Sequence, residues 1–201
     1  MAQASLPPAE SWLDQLVQKL LEVIVQVPAT SEPASQTPEV RCRAIIRGAA
    51  LKTAGTSGTL ALPPGPWGML TVLPDLVAVW KIQAQMVADI AAAYGKTALL
   101  SPEQMLYCLF RQTASQAVQD LVVRLGDRLA IRRMPLQVIQ RALQQVSLKM
   151  TQRLAGRTVS RWLPVVGALG VAAYAYRDTM RVGHTAVELF SREVVLEDDT
   201  A

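Results

Sequence analysis

Two stretches without a single charge constrain this chain more than anything else in it. Residues 53–74 run for twenty-two positions with no Asp, Glu, Lys or Arg, and residues 162–176 for fifteen. Apolar surface of that extent has to be covered, by helices packing on one another or by lipid or a partner. Neither stretch reads as a straight span of a bilayer. The first carries four prolines and four glycines, and proline inside a helix removes a hydrogen bond and clashes with the preceding turn. The second falls short of the roughly twenty residues that cross a hydrocarbon core. Both are spaced by Gly and Ala and interrupted or entered by proline, a composition that lets helices approach closely. Pro63, Pro64, Gly65, Pro66 and Gly68 mark a tight turn in the first, while Pro164, Gly167 and Gly170 shape the start of the second. These are two apolar hairpins, and the residues alone leave open whether core or lipid covers them.

The remainder has helical periodicity. Leu13, Leu16, Val17, Leu20, Leu21, Ile24 and Val27 form one stripe behind Ser11, a suitable N-cap. The polar face of this helix holds Glu10, Asp14, Glu22 and a single Lys, so docking onto the body or onto a partner protein suits it better than an anionic surface. Residues 28–38 contain three prolines and little large apolar character, which is linker composition. The pattern divides the chain into an N-terminal amphipathic helix (1–27), a Pro-rich linker (28–38), a helical domain (39–196) and an acidic tail (197–201). Within the domain a long helix closes at Gly95. Ser101-Pro102-Glu103-Gln104 is a capping box with proline at the first helical position, and a helix is expected from there to about Leu125, stopped by Gly126. Pro135 opens another helix to about Leu154, and the last runs from Pro164 to about Val195. No segment alternates with period two for long enough to predict a strand. At 201 residues the chain can bury a core without staples. The expected fold is all-α: a compact bundle of about five to seven helices with Gly/Ala/Pro-rich apolar hairpins and the N-terminal amphipathic helix.

The net charge of +4 is unevenly placed. Residues 1–100 hold seven basic and seven acidic side chains, whereas residues 124–161 hold nine basic ones against Asp127 alone. Arg124, Arg128, Arg132, Arg133, Arg157 and Arg161 are therefore candidates for a face that meets anionic lipid headgroups. Trp162, Tyr174, Tyr176 and Arg177 flank the second uncharged stretch, an arrangement that lipid interfaces favour. A solvated helix face is the plain alternative. Nucleic acid ranks behind lipid, because no helix-turn-helix or aromatic-interleaved strand accompanies the arginines.

Catalytic chemistry finds no support. His184 is the only histidine, so no multi-His metal site is available, and neither metal nor cofactor is expected. Cys42 and Cys108 lie in apolar helical patterns and read as small buried hydrophobes with no disulfide framework. Asp75, Asp89, Asp120 and Glu188 each have an ordinary capping or solvent-facing role, and Gly55-Thr-Ser-Gly58 lacks the Lys and strand of a phosphate loop. The first thirteen residues have no basic region followed by an apolar run, so no secretory signal is expected.

Residues 43–95, with a Gly-rich approach, the turn Pro-Pro-Gly-Pro-Trp-Gly, then Leu-Pro-Asp and a helix closing on Ile-Ala-Ala-Ala-Tyr-Gly, resemble the EcsC family. Leu163-Pro-Val-Val-Gly-Ala-Leu-Gly and the helix through Val182-Gly-His-Thr-Ala resemble that family's later Pro-Gly segment. The resemblance implies a bacterial-type protein acting at or near membranes and brings no catalytic residues; the first helix and the linker fall outside it. The expectation is a non-enzymatic, membrane-associated or lipid-interacting protein, cytoplasmic or at the inner face of the membrane, whose partner is lipid or a membrane protein. The alternative is a soluble helical scaffold that binds a protein partner through residues 11–27.

Overall fold

The computed structural model describes residues 9–60, 68–113, 122–125, 128–132, 135–155, 164–192 and 194–197. In chain order these form α1 (Ala9–Val25), α2 (Pro38–Leu60), α3 (Gly68–Ala93), a 3-10 turn (Thr97–Leu99), α4 (Pro102–Phe110), a second 3-10 turn (Arg111–Thr113), β1 (Val122–Leu125), β2 (Arg128–Arg132), α5 (Leu136–Ala155), α6 (Pro164–Ser191) and β3 (Val194–Glu197). The architecture is a helical bundle, as expected, with a small sheet added to it.

Local chemistry sets the helix ends. Gly95 takes a positive φ of 69°, its N–H bonds the carbonyl of Ala92 at 2.8 Å, and the N–H of Lys96 reaches back to Ala91 at 2.8 Å. That is a left-handed C-cap satisfying the last carbonyls of α3. At the start of α4 the Ser101 side chain accepts from the Gln104 backbone while the Gln104 side chain accepts from the Ser101 backbone, with Pro102 at the first turn. Lys96 then closes another end: its Nζ donates to the carbonyls of Phe190 (2.8 Å) and Arg192 (2.5 Å) at the C-terminus of α6, where a cation also suits the helix dipole.

One core unites the six helices among the described residues. α2, α3 and α6 pack on one another, α1 lies on α3 and α5, and α4 joins α3 to α6. Leu16, Leu20, Val23 and Ile24 of α1 are buried in the same cluster as Ile46, Ile90, Leu106, Leu143 and Phe190; burying side chains of this kind contributes about 1.5–3 kcal/mol each. Trp80 meets Phe110 edge-on at 6.0 Å between ring centroids. α1 therefore docks on its own chain through Leu16, Leu20, Val23 and Ile24. The linker is pinned as well. Thr30 Oγ1 donates to Asp89 at 2.7 Å, the Ser35 N–H to the Ala93 carbonyl at 2.9 Å, and Arg41 forms two bonds to Glu32 at 2.6 and 2.8 Å.

Two stretches expected to be helical differ. α4 ends at Phe110 rather than near Leu125, and Val122–Leu125 is a strand paired antiparallel with β2, Leu125 opposite Arg128. Gly126, expected to stop that helix, lies outside the described residues. α6 ends at Ser191 rather than near Val195, and Val194–Glu197 pairs parallel with β2. β-branched Val122, Val123, Val194 and Val195 favour a pleated backbone.

Candidate functional site

α3 runs antiparallel to α2, and α6 runs alongside α3. For α3 and α6 the hydrogen bonds establish this: Gln83 of α3 donates to Asp178 and Thr179 of α6, each at 3.1 Å, and Lys96 beyond α3 reaches the end of α6; for α2, Thr53 lies against Thr179 while the earlier Ile46 lies against the later Gly183 of α6. The C-terminus of α2 and the N-termini of α3 and α6 consequently lie at one end of the bundle. The described parts of both uncharged stretches, 53–60 with 68–74 and 164–176, converge there.

A buried polar network ties the three helices together where that end begins. Thr53 Oγ1 lies 2.9 Å from Thr179 Oγ1 and donates or accepts there, while Gln83 Nε2 bridges Thr179 to Asp178. Thr53, Gln83 and Thr179 are fully buried, so each must be satisfied internally. Burial pushes the Asp178 carboxyl above its usual range, opposed by the Gln83 hydrogen bond and by Arg181. Beyond the network, toward the uncharged end, α2 has no charge from Thr53 onward, α6 has none before Arg177, and α3 carries only Asp75 before Lys81. α6 is nonetheless exposed there. Gly170, Val171, Ala173 and Tyr174 all face outward, with Val171 46% and Tyr174 56% accessible.

The structure separates residues that the sequence grouped. Tyr174 and Arg177 are exposed and Tyr176 half-buried on the uncharged end of α6. Gly68 opens α3, and Pro164, Gly167 and Gly170 lie in the first two turns of α6. Arg124, Arg128 and Arg132 belong to strands paired, through β2, with β3, which follows the opposite end of α6. Tyr174 and Ser191 are about 25 Å apart along the helix axis, so β3 follows the end of α6 remote from Tyr174. Pro63, Pro64, Gly65, Pro66, Arg133, Arg157, Arg161 and Trp162 lie outside the described residues.

Sequence reasoning missed Lys52 and Lys81. Both are exposed and line an open groove of about 450 Å³ between α2 and α3. Ile45, Ala49, Ile82 and Met86 line its middle, and Arg41, Glu32 and Asp89 its far end. The signal was present: Lys52 immediately precedes the first uncharged stretch, and Lys81 is the first cation after it.

Among the described residues no group of three His, Cys, Asp or Glu is placed to hold a metal, and His184 is exposed on α6. Burial raises both thiols, Cys42 to about 11 and Cys108 further still, which disfavours the thiolate form. One helix segment among the described residues, Leu76–Ala93, is long and apolar enough to cross a membrane, and 56% of it is buried inside the fold. No protein-family model, curated protein or solved structure matches the chain.

Proposed function

We propose that this chain is a non-enzymatic, EcsC-like helical protein that associates with a membrane surface, peripherally or by shallow insertion, through the uncharged end of α2, α3 and α6. The observation that carries this reading is the exposure of Val171 and Tyr174 on a stretch without charge. Apolar helix surface left in water is disfavoured in proportion to its area, and a lipid interface covers it while accommodating tyrosine at the headgroup level. The resemblance to the EcsC family supports the same reading and a location at the inner face of the membrane. Co-sedimentation with liposomes, with and without anionic lipid and at low and high salt, tests it. Binding with a salt-resistant component is expected, since apolar contact is not screened; protein that stays in the supernatant under every condition refutes it.

A soluble scaffold is the second reading, favoured by the burial of most of Leu76–Ala93 and by the groove beside Lys52 and Lys81. It predicts a monodisperse protein indifferent to vesicles.

A further inference from the structure

We infer that Lys52, Lys81 and Arg177 form a cationic collar that recognises anionic lipid headgroups. The inference rests on the membrane reading and adds to it the headgroup class.

Each of the three central helices contributes one cation, and the buried network fixes them at a common level. Thr53 and Thr179 touch, and Gln83 touches Thr179. Lys52 is one residue from Thr53, Lys81 two from Gln83 and Arg177 two from Thr179. At 1.5 Å per helical residue the three Cα atoms fall within about 3 Å of the network's level along the bundle. All three side chains are exposed, and none makes an ion pair among the described residues. Asp178, the carboxylate beside Arg177, is turned to Gln83.

The collar divides the three helices by charge. Toward the uncharged end Asp75 is the only charge on α2, α3 and α6, and Glu22 of α1 lies within electrostatic reach of Lys81. α2 continues about 12 Å past Lys52, and α3 and α6 extend about 20 Å past Lys81 and Arg177. With the collar at the headgroups, this end of the helices meets the leaflet. Long basic side chains suit that position, because the stem lies along apolar surface while the charge stays with phosphate. Lys52 and Lys81 also bound the end of the α2–α3 groove nearest the apolar end, a seat for one headgroup between two cations.

Each cation near an anionic surface strengthens binding about fivefold, so three contribute about a hundredfold. The test compares wild type with the triple variant K52Q/K81Q/R177Q, the single variants K52Q and K81Q, and a control, R43Q/R47Q/R141Q, that removes three exposed cations from the body. Affinity is measured for phosphatidylcholine vesicles and for vesicles containing phosphatidylglycerol. The expected result is that the collar triple loses about a hundredfold of the preference for phosphatidylglycerol and retains wild-type affinity for phosphatidylcholine. Each single variant loses about fivefold, and the control loses much less than the collar triple. A collar triple that keeps the preference, or a control that loses as much, overturns the collar while phosphatidylcholine binding upholds the membrane reading. Wild type that binds neither vesicle overturns both.

Discussion

Gly183 of α6 packs tightly against Ile46 of α2, and replacing it with alanine puts a number on that contact. A Cβ built there lies 2.6 Å from Ile46 Cγ1 and 2.9 Å from its Cδ1, well inside the 3.4–4 Å of ordinary contact. Ile46 is buried, and a β-branched side chain in a helix is restricted to one main χ1 rotamer, so relief requires the helices to part or Ile46 to leave its rotamer. Overpacking of this kind costs about 1–3 kcal/mol. Alanine also favours a helix over glycine by about 1 kcal/mol, which obscures the clash in a single measurement. Gly48 of α2 supplies the reference, because a Cβ there meets nothing within 4 Å. G48A is expected to raise stability by about 1 kcal/mol, and G183A to be less stable than G48A by about 1–3 kcal/mol. Urea denaturation followed by circular dichroism measures both, and I46A should cost less in the G183A background than in wild type, because it relieves the clash as it removes the side chain. G183A as stable as G48A would refute the close approach of α2 and α6.

Two further predictions concern buried titratable groups. The folded state raises the Asp178 pKa through burial, so it holds the proton at a pH where the unfolded chain has released it. The stability this group contributes is present in full below the unfolded pKa and is lost as pH rises through the folded value. D178N keeps an acceptor for Gln83 without the charge, so it should melt above wild type at neutral pH, the gap closing in acid; a pH-independent gap would contradict the burial. Cys42 and Cys108, both buried with raised pKa values, should resist a thiol reagent at pH 8 and react fully once urea unfolds the chain. Rapid labelling of the native protein would show that one of them is accessible.

The helical framework was legible because punctuation is local. Gly95, Ser101-Pro102 and the prolines before α5 and α6 act within a turn of their own position. The sheet was not legible, because strands of four and five residues are too short for alternation to stand out from helix periodicity. Pairing of Leu129 with Val194 is decided by contacts distant in sequence. The candidate site was half legible. The uncharged stretches and Tyr174, Tyr176 and Arg177 belong to the end the structure brings together, whereas the density of arginine in residues 124–161 drew attention to strand residues at the other end of α6. Lys52 and Lys81 look like ordinary surface lysines in one dimension. Their alignment with Arg177 exists only once Thr53, Gln83 and Thr179 lock three helices in register.

An environment-sensitive fluorophore reads the central claim most directly. V171C places a single reactive thiol on the exposed, uncharged end of α6, and V40C places one near the far end of α2, where Val40 is 63% exposed; the native thiols are buried. With phosphatidylglycerol-containing vesicles, the label at position 171 should shift to the blue and be quenched by bromine on the lipid acyl chains. The label at position 40 should be unchanged. Emission that is the same at both positions, or a shift at position 40 alone, would contradict membrane association through this end of the bundle.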